Sequence, residues 1–196
     1  HSAASFAIRP HFLSYFNTLA GGPANAHRLF VDSSLDWGQD LPSLRTWLGV
    51  HRRPGEKFYL GYFGSAWPPH YDVRPDHFLP AVNYLVRPPH TPYLLEPGLY
   101  AVSATLLAEV YSSDRGPWTP ALEQRWQAFR LTPPTADNYA EFDRLRFTRL
   151  SKYLQTRPHD ALVGYTILLY RLTAADLRAA LDGPVTGAYR MRPVRP

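Results

Sequence analysis

The sequence predicts an α/β layer architecture: a mostly parallel central sheet flanked by helices, Rossmann-like but without a nucleotide-binding loop. Three observations carry that expectation. Apolar runs and amphipathic segments follow one another in the order strand, helix, strand, strand, helices, strand, helix, which a layered sheet accommodates. The stretch RLFVDSSLDWGQDLPSLRTW at Arg28 to Trp47 reads as strand, loop and helix and leads into a second strand. Such a β-α-β unit favours a parallel pair with a right-handed crossover. Finally, 196 residues with 45% hydrophobic and 14% aromatic side chains suffice for one domain with a sizeable core.

Leu29, Phe30 and Val31 form the first apolar run, and Asp32, Asp36, Gln39 and Asp40 follow it, with Trp37 and Gly38 between. Two helix starts compete. With Asp36 as N-cap, Gln39 completes a capping box, but Pro42 then lies inside the helix, where its ring clashes with a carbonyl one turn back. With Asp40 as N-cap, Pro42 falls in the tolerant first turn. The second start is preferred and leaves 32–39 as an exposed loop. Leu41, Leu44, Trp47 and Leu48 then recur at helical spacing up to Gly49. Phe58 to Phe63 reads as the second strand, and the following Gly64 to Tyr71 is too rich in proline to be regular.

From Tyr71 to Pro97 periodicity is weak, and only Ala81 to Val86 suits a short edge strand. Gly98 to Ala104 is the third strand, with a short helix at Leu106 to Tyr111 and helices at Leu122 to Phe129 and Tyr139 to Gln155. In the last of these, Phe142, Leu145, Leu150, Tyr153 and Leu154 form an apolar stripe. Arg144, Arg146, Arg149 and Lys152 read as a solvated face; the alternative is a basic surface turned toward a membrane or a lipid pyrophosphate. Ala161 to Arg171 is almost wholly apolar and predicts one strand buried on both faces, and Ala174 to Leu181 a final helix.

If the strands are parallel, the loops 32–40, 64–71 and 103–109 converge on one rim, where open α/β sheets bind ligands. Carboxylates and amides beside aromatic rings offer a sugar hydrogen-bond acceptors and flat apolar faces. Asp32, Asp36, Trp37, Gln39, Trp67 and Tyr71 are therefore the candidate substrate-binding residues. Each has a plainer alternative. Asp32 and Asp36 could share a divalent cation or simply bond loop amides, Trp37 and Trp67 could be core residues, and Asp40 suits a helix cap better than a ligand.

The runs HFLSYFNTLAGGP at His11 to Pro23 and VDSSLDWGQDLPSL after it carry a family resemblance, followed in order by LGYFGSAWPPHY at Leu60, GLYAVSATLLAEVY at Gly98 and VGYTILLYRL at Val163. The pattern resembles the periplasmic C-terminal portion of bacterial membrane glycosyltransferases of the GT-C class, related to the dolichyl-phosphate-mannose–protein mannosyltransferases. The resemblance covers roughly Pro10 to Leu172, and Asp36-Trp37-Gly38-Gln39-Asp40 is its most specific part. It departs from the pattern at Ser34, where Asn is usual, at Asp72, where Gly is common, and at Ala108-Glu109, which replaces a Gln-Gly pair.

The resemblance implies a domain on the periplasmic or extracellular face of the cytoplasmic membrane. Its implied partners are the transmembrane portion of the same polypeptide, the membrane surface, a polyprenyl-phosphate sugar, and an acceptor glycan, lipid or protein. In that class the catalytic aspartate lies in the transmembrane part, so no catalytic residue, metal ligand or cofactor is assigned here. The domain is expected to assist acceptor or donor binding. A carbohydrate-binding or assembly module, and a stand-alone hydrolase or transferase, are the other classes. The opening looks cut, so residues 1–22 are read as a membrane-proximal lead-in, with Tyr15 and Phe16 suited to a bilayer interface or to packing under the domain. Residues 23–182 form the α/β domain and 183–196 a basic tail.

The net charge of +5 is almost all arginine, Lys57 and Lys152 being the only lysines. That fits coding bias or a surface meeting phosphate or anionic lipid; no nucleic-acid module accompanies it. The histidines lack zinc-site spacing, no Gly-x-Ser-x-Gly elbow occurs, and no Walker or Gly-x-Gly-x-x-Gly loop follows the first strand. There is no cysteine, as suits an extracytoplasmic domain without disulfides. No apolar run reaches the ~20 residues that span a bilayer.

Overall fold

The computed structural model describes residues 37–80 and 92–185. The expected strand at Leu29 to Val31, the edge strand at Ala81 to Val86, the lead-in and most of the tail lie outside those residues. Helix α1 spans Leu41–His51, with Asp40 at its N-cap position and Pro42 in its first turn. Strand β1 covers Lys57–Gly61, and a single 3-10 turn at Pro68–Tyr71 puts order into the proline-rich loop. After β2 (His77–Phe78) and β3 (Gly98–Ser103) comes the short helix α2 (Ala104–Leu107), starting earlier than the sequence suggests. Helices α3 (Pro120–Leu131) and α4 (Tyr139–Thr156) follow, then β4 (Ala161–Val163), β5 (Ile167–Leu172) and α5 (Ala174–Asp182).

The strand order is β2-β1-β3-β5-β4. Strand β1 pairs parallel with β2 and β3, whereas β5 pairs antiparallel with β3 and with β4. The sheet is therefore mixed, which corrects the mostly parallel, Rossmann-like expectation. The cause is the apolar run at Ala161 to Arg171: it is a hairpin, not one strand. Gly164 and Tyr165 take φ +59° and +71°, both in the left-handed region, and turn the chain. A hairpin reverses direction, so its returning strand meets β3 antiparallel.

Side chains alternate between two buried faces. Phe58, Leu60, Leu99, Ala101, Ile167 and Leu169 pack with Leu41 and Leu44 of α1. Tyr59, Tyr100 and Tyr170, in register across three strands, point to the other face with Val102 and Leu168, under α4 and α5. The Tyr59 and Tyr100 rings stack at 4.5 Å between centroids. Each fully buried Leu or Phe contributes about 1.5–3 kcal/mol relative to exposure, so this three-layer arrangement fixes the sheet tightly.

Helix α4 is where the sequence reading fails most clearly. It packs on the sheet through Phe147, Leu150 and Leu154 and on α3 through Leu145, so every residue from Leu145 to Lys152 is buried. Arg146, Arg149 and Lys152 are only 4%, 2% and 2% exposed, not a solvated face. Each is paired: Arg146 with Asp143, Arg149 with Glu123, and Lys152 with Glu109. Arg144, at the edge, holds Asp114 at 2.8 Å. Burying a cation demands a partner; Asp143 is an i,i+3 neighbour on the same helix, but Glu123 and Glu109 lie 26 and 43 residues away in sequence, beyond the reach of any helix-periodicity argument.

Candidate functional site

The C-terminal ends of β1 and β3, the N-terminal end of β5 and the start of α1 all lie at one rim. Three ties assemble it. The Tyr62 hydroxyl donates to the Gly38 carbonyl at 2.8 Å, joining the Trp37–Asp40 loop to the exit of β1. The Phe63 amide donates to Ser103 Oγ at 3.0 Å, joining the exits of β1 and β3. Thr166 Oγ1 donates to Asp40 Oδ2 at 2.7 Å, joining the hairpin turn to the start of α1.

Two glycines make these contacts geometrically feasible. A Cβ on Gly38, which has φ +76°, would come within 2.7 Å of Gly64 Cα, so the Asp-Trp-Gly loop and the Phe-Gly-Ser loop meet backbone to backbone. A Cβ on Gly164 would sit 2.0 Å from the Asp40 carboxyl carbon. Asp40 itself is 1% exposed. It occupies the N-cap position, with its carbonyl accepting from the Leu44 amide at 2.9 Å, yet its side chain makes no capping bond. The carboxylate serves the Thr166 tie instead.

Of the candidate residues, Asp32 and Asp36 lie outside the described residues. Trp37, Trp67 and Tyr71 are 61%, 50% and 38% exposed, so none is a core residue. Gln39 is half-buried, and its side-chain carbonyl accepts from the Trp37 amide at 2.8 Å, which shapes the loop. Trp67 stacks on Phe78 at the end of β2, and the Tyr71 ring meets His70 edge-on. Next to this turn, Asp72 faces both Arg45 and Arg74.

Sequence reasoning missed Tyr62, Thr166, Tyr111 and Glu109. Gly164 was the available signal for the turn that delivers Thr166. Tyr111 stacks on Phe63 at 5.7 Å and is 47% exposed. Glu109 ends the loop after β3 at φ +56°, is buried against Lys152, and leaves Oε1 without a hydrogen-bond partner. Burial pushes its carboxyl up to about 6, against the opposing pull of Lys152. Behind it, Arg149 and Lys152 line a cavity of about 30 Å³ between α4 and α5, room for a water or two.

Among the described residues there is no group of three His, Asp or Glu placed to hold a metal, and no helix long and apolar enough to cross a membrane. Taken together, the fold and rim define a three-layer α/β domain with a mixed five-stranded sheet and an aromatic loop cluster at one end of it. Comparison of the chain with known protein families, with curated proteins and with solved structures finds no match.

Proposed function

We propose that the chain is an outward-facing domain of a membrane glycosyltransferase that uses polyprenyl-phosphate sugars. In this reading its rim assists binding of the acceptor or the lipid-linked donor and does not supply the catalytic base. One observation carries the reading: stretches that define the resemblance, far apart in sequence, are tied together by the Tyr62–Gly38 and Phe63–Ser103 hydrogen bonds. A second supports it. Positions 72 and 109, where the resembling pattern has glycine, both adopt left-handed backbone here, at φ +58° and +56°, the conformation that favours glycine.

The exposed Trp37, Trp67 and Tyr71 rings give the rim apolar faces for a sugar or an isoprenoid-linked headgroup. In the membrane-embedded parent, Asp36→Ala and Trp37→Ala should each lower sugar transfer about tenfold, or ~1.4 kcal/mol, with folding intact. Undiminished transfer by a folded variant rejects the role. The same exposed rings favour a second reading, a carbohydrate-binding module. That reading requires the isolated chain to bind short glycans, and Trp67→Ala to abolish the binding.

A further inference from the structure

The exposed aromatic side chains are not scattered. Among the described residues the large apolar side chains left in solvent are Trp37, Trp67, Tyr71 and Tyr111, together with Val50, Leu94 and Leu131. All four aromatics belong to the rim. Trp37 opens the loop before α1, Trp67 and Tyr71 bracket the 3-10 turn after β1, and Tyr111 stacks on Phe63 beyond β3. The three aliphatics lie elsewhere: Val50 near the far end of α1, Leu94 before β3 begins, and Leu131 at the end of α3.

We infer that this rim is the face that the domain lays against a phospholipid headgroup layer containing anionic lipid. The inference rests on the membrane-linked reading above and adds to it which end of the molecule meets the bilayer. Chemistry selects the occupant. Trp and Tyr carry an apolar ring with a polar N–H or O–H, the combination that favours the boundary between headgroups and acyl chains.

Charge agrees. Arg45 and Arg74, with side chains 61% and 72% exposed, share the single carboxylate of Asp72, so the turn presents an excess of positive charge beside the rings. The chain as a whole carries +5. Ring insertion and attraction to anionic headgroups act on the same few side chains.

The test is co-sedimentation of the 196-residue chain with vesicles of phosphatidylcholine alone and of phosphatidylcholine with about one third phosphatidylglycerol. It is read alongside tryptophan quenching by lipids brominated near the headgroup. The expected result is binding to the anionic vesicles, weakened by salt, with rim tryptophan emission quenched. Trp37→Ala combined with Trp67→Ala should weaken binding at least about tenfold, and Arg45→Gln with Arg74→Gln should remove the preference for phosphatidylglycerol. Leu131→Ser, at an exposed aliphatic away from the rim, should change nothing.

Absence of vesicle binding overturns the inference, as does binding that survives the double tryptophan substitution, which would assign it to residues 1–36. Binding to glycans or to a protein with none to vesicles overturns it equally. None of these outcomes bears on sugar transfer by the parent, so this inference and the proposed function can fail separately.

Discussion

The rim and the interior of α4 use the same kinds of residue in opposite ways. At the rim, Arg45 and Arg74 stand in solvent around one exposed carboxylate, and aromatic rings are left uncovered. Under α4, arginines and a lysine are shut inside, each against its own acid, and two of them lie over aromatic faces. Arg146 sits 4.3 Å from the Tyr93 ring centroid, and Arg149 sits 5.2 Å from that of Trp118. Exposed ion pairs contribute little because water screens them; buried pairs contribute specificity and penalise any loss of one partner. The first region can change without unpairing a buried charge, and the second holds the helical layer in place.

The sharpest way to break that contrast is Lys152→Met. It strands the buried Glu109 carboxylate and should destabilise the chain by about 3–5 kcal/mol in urea unfolding. Adding Glu109→Leu should recover most of the loss, because a volume-matched apolar pair removes the unpaired charge. Gly164→Ala comes next. It drives a Cβ into the Asp40 carboxyl and forces a left-handed backbone on alanine, for an expected loss of about 2 kcal/mol or more. Thr166→Val removes the donor to Asp40 Oδ2 and should cost about 1–2 kcal/mol. The corresponding rim substitution, Trp67→Ala, should stay within about 0.5 kcal/mol, since the ring is half exposed.

Two carboxyls predict opposite pH responses. Asp176 is raised by burial but held down more strongly by hydrogen bonds from Tyr153 and Thr173 and by Arg157, to about 2 from 3.8. Its stabilising contribution is complete above pH 3.8 and is lost as pH falls through about 2. Glu109 is raised by burial from 4.5 to about 6, so the folded chain holds that proton more tightly than the unfolded chain. Its contribution to stability falls as pH rises from 4.5 to about 6. Thermal midpoints across pH should therefore separate Asp176→Asn, which loses the acid-side dependence, from Glu109→Gln, which flattens the higher window. An unchanged profile in either variant would refute the corresponding assignment.

Much of the framework was legible because it is written locally. Asp40 and Pro42 mark the start of α1, and Gly98 to Ser103 alternates between the two buried faces. Tyr139 to Gln155 has helical period, and Ala174 to Leu181 reads as the last helix. Each of these depends on residues within a turn or two of one another. The rim was legible in part, since the loops after β1 and β3 do converge, and the candidate aromatics Trp67 and Tyr71 after β1 and Trp37 before α1 are exposed.

Other features were invisible because they depend on partners distant in sequence. An apolar stretch states that it is buried, but one strand and a tight hairpin bury nearly the same residues. Only pairing with β3 separates them, and with it a parallel from a mixed sheet. A basic helical face reads as solvated unless acids arrive from other elements, as Glu109 and Glu123 do. Asp40 shows the same division within one residue. Its backbone begins the helix as its local sequence dictates, while its carboxylate is claimed by Thr166, 126 residues away. Sequence by itself determined where β1, β3 and the longer helices run, since backbone propensity and side-chain period act over a few residues. Tertiary structure alone decided strand direction, the partners of the buried charges and which aromatics stay in water, because those depend on surfaces that exist only once the layers have packed.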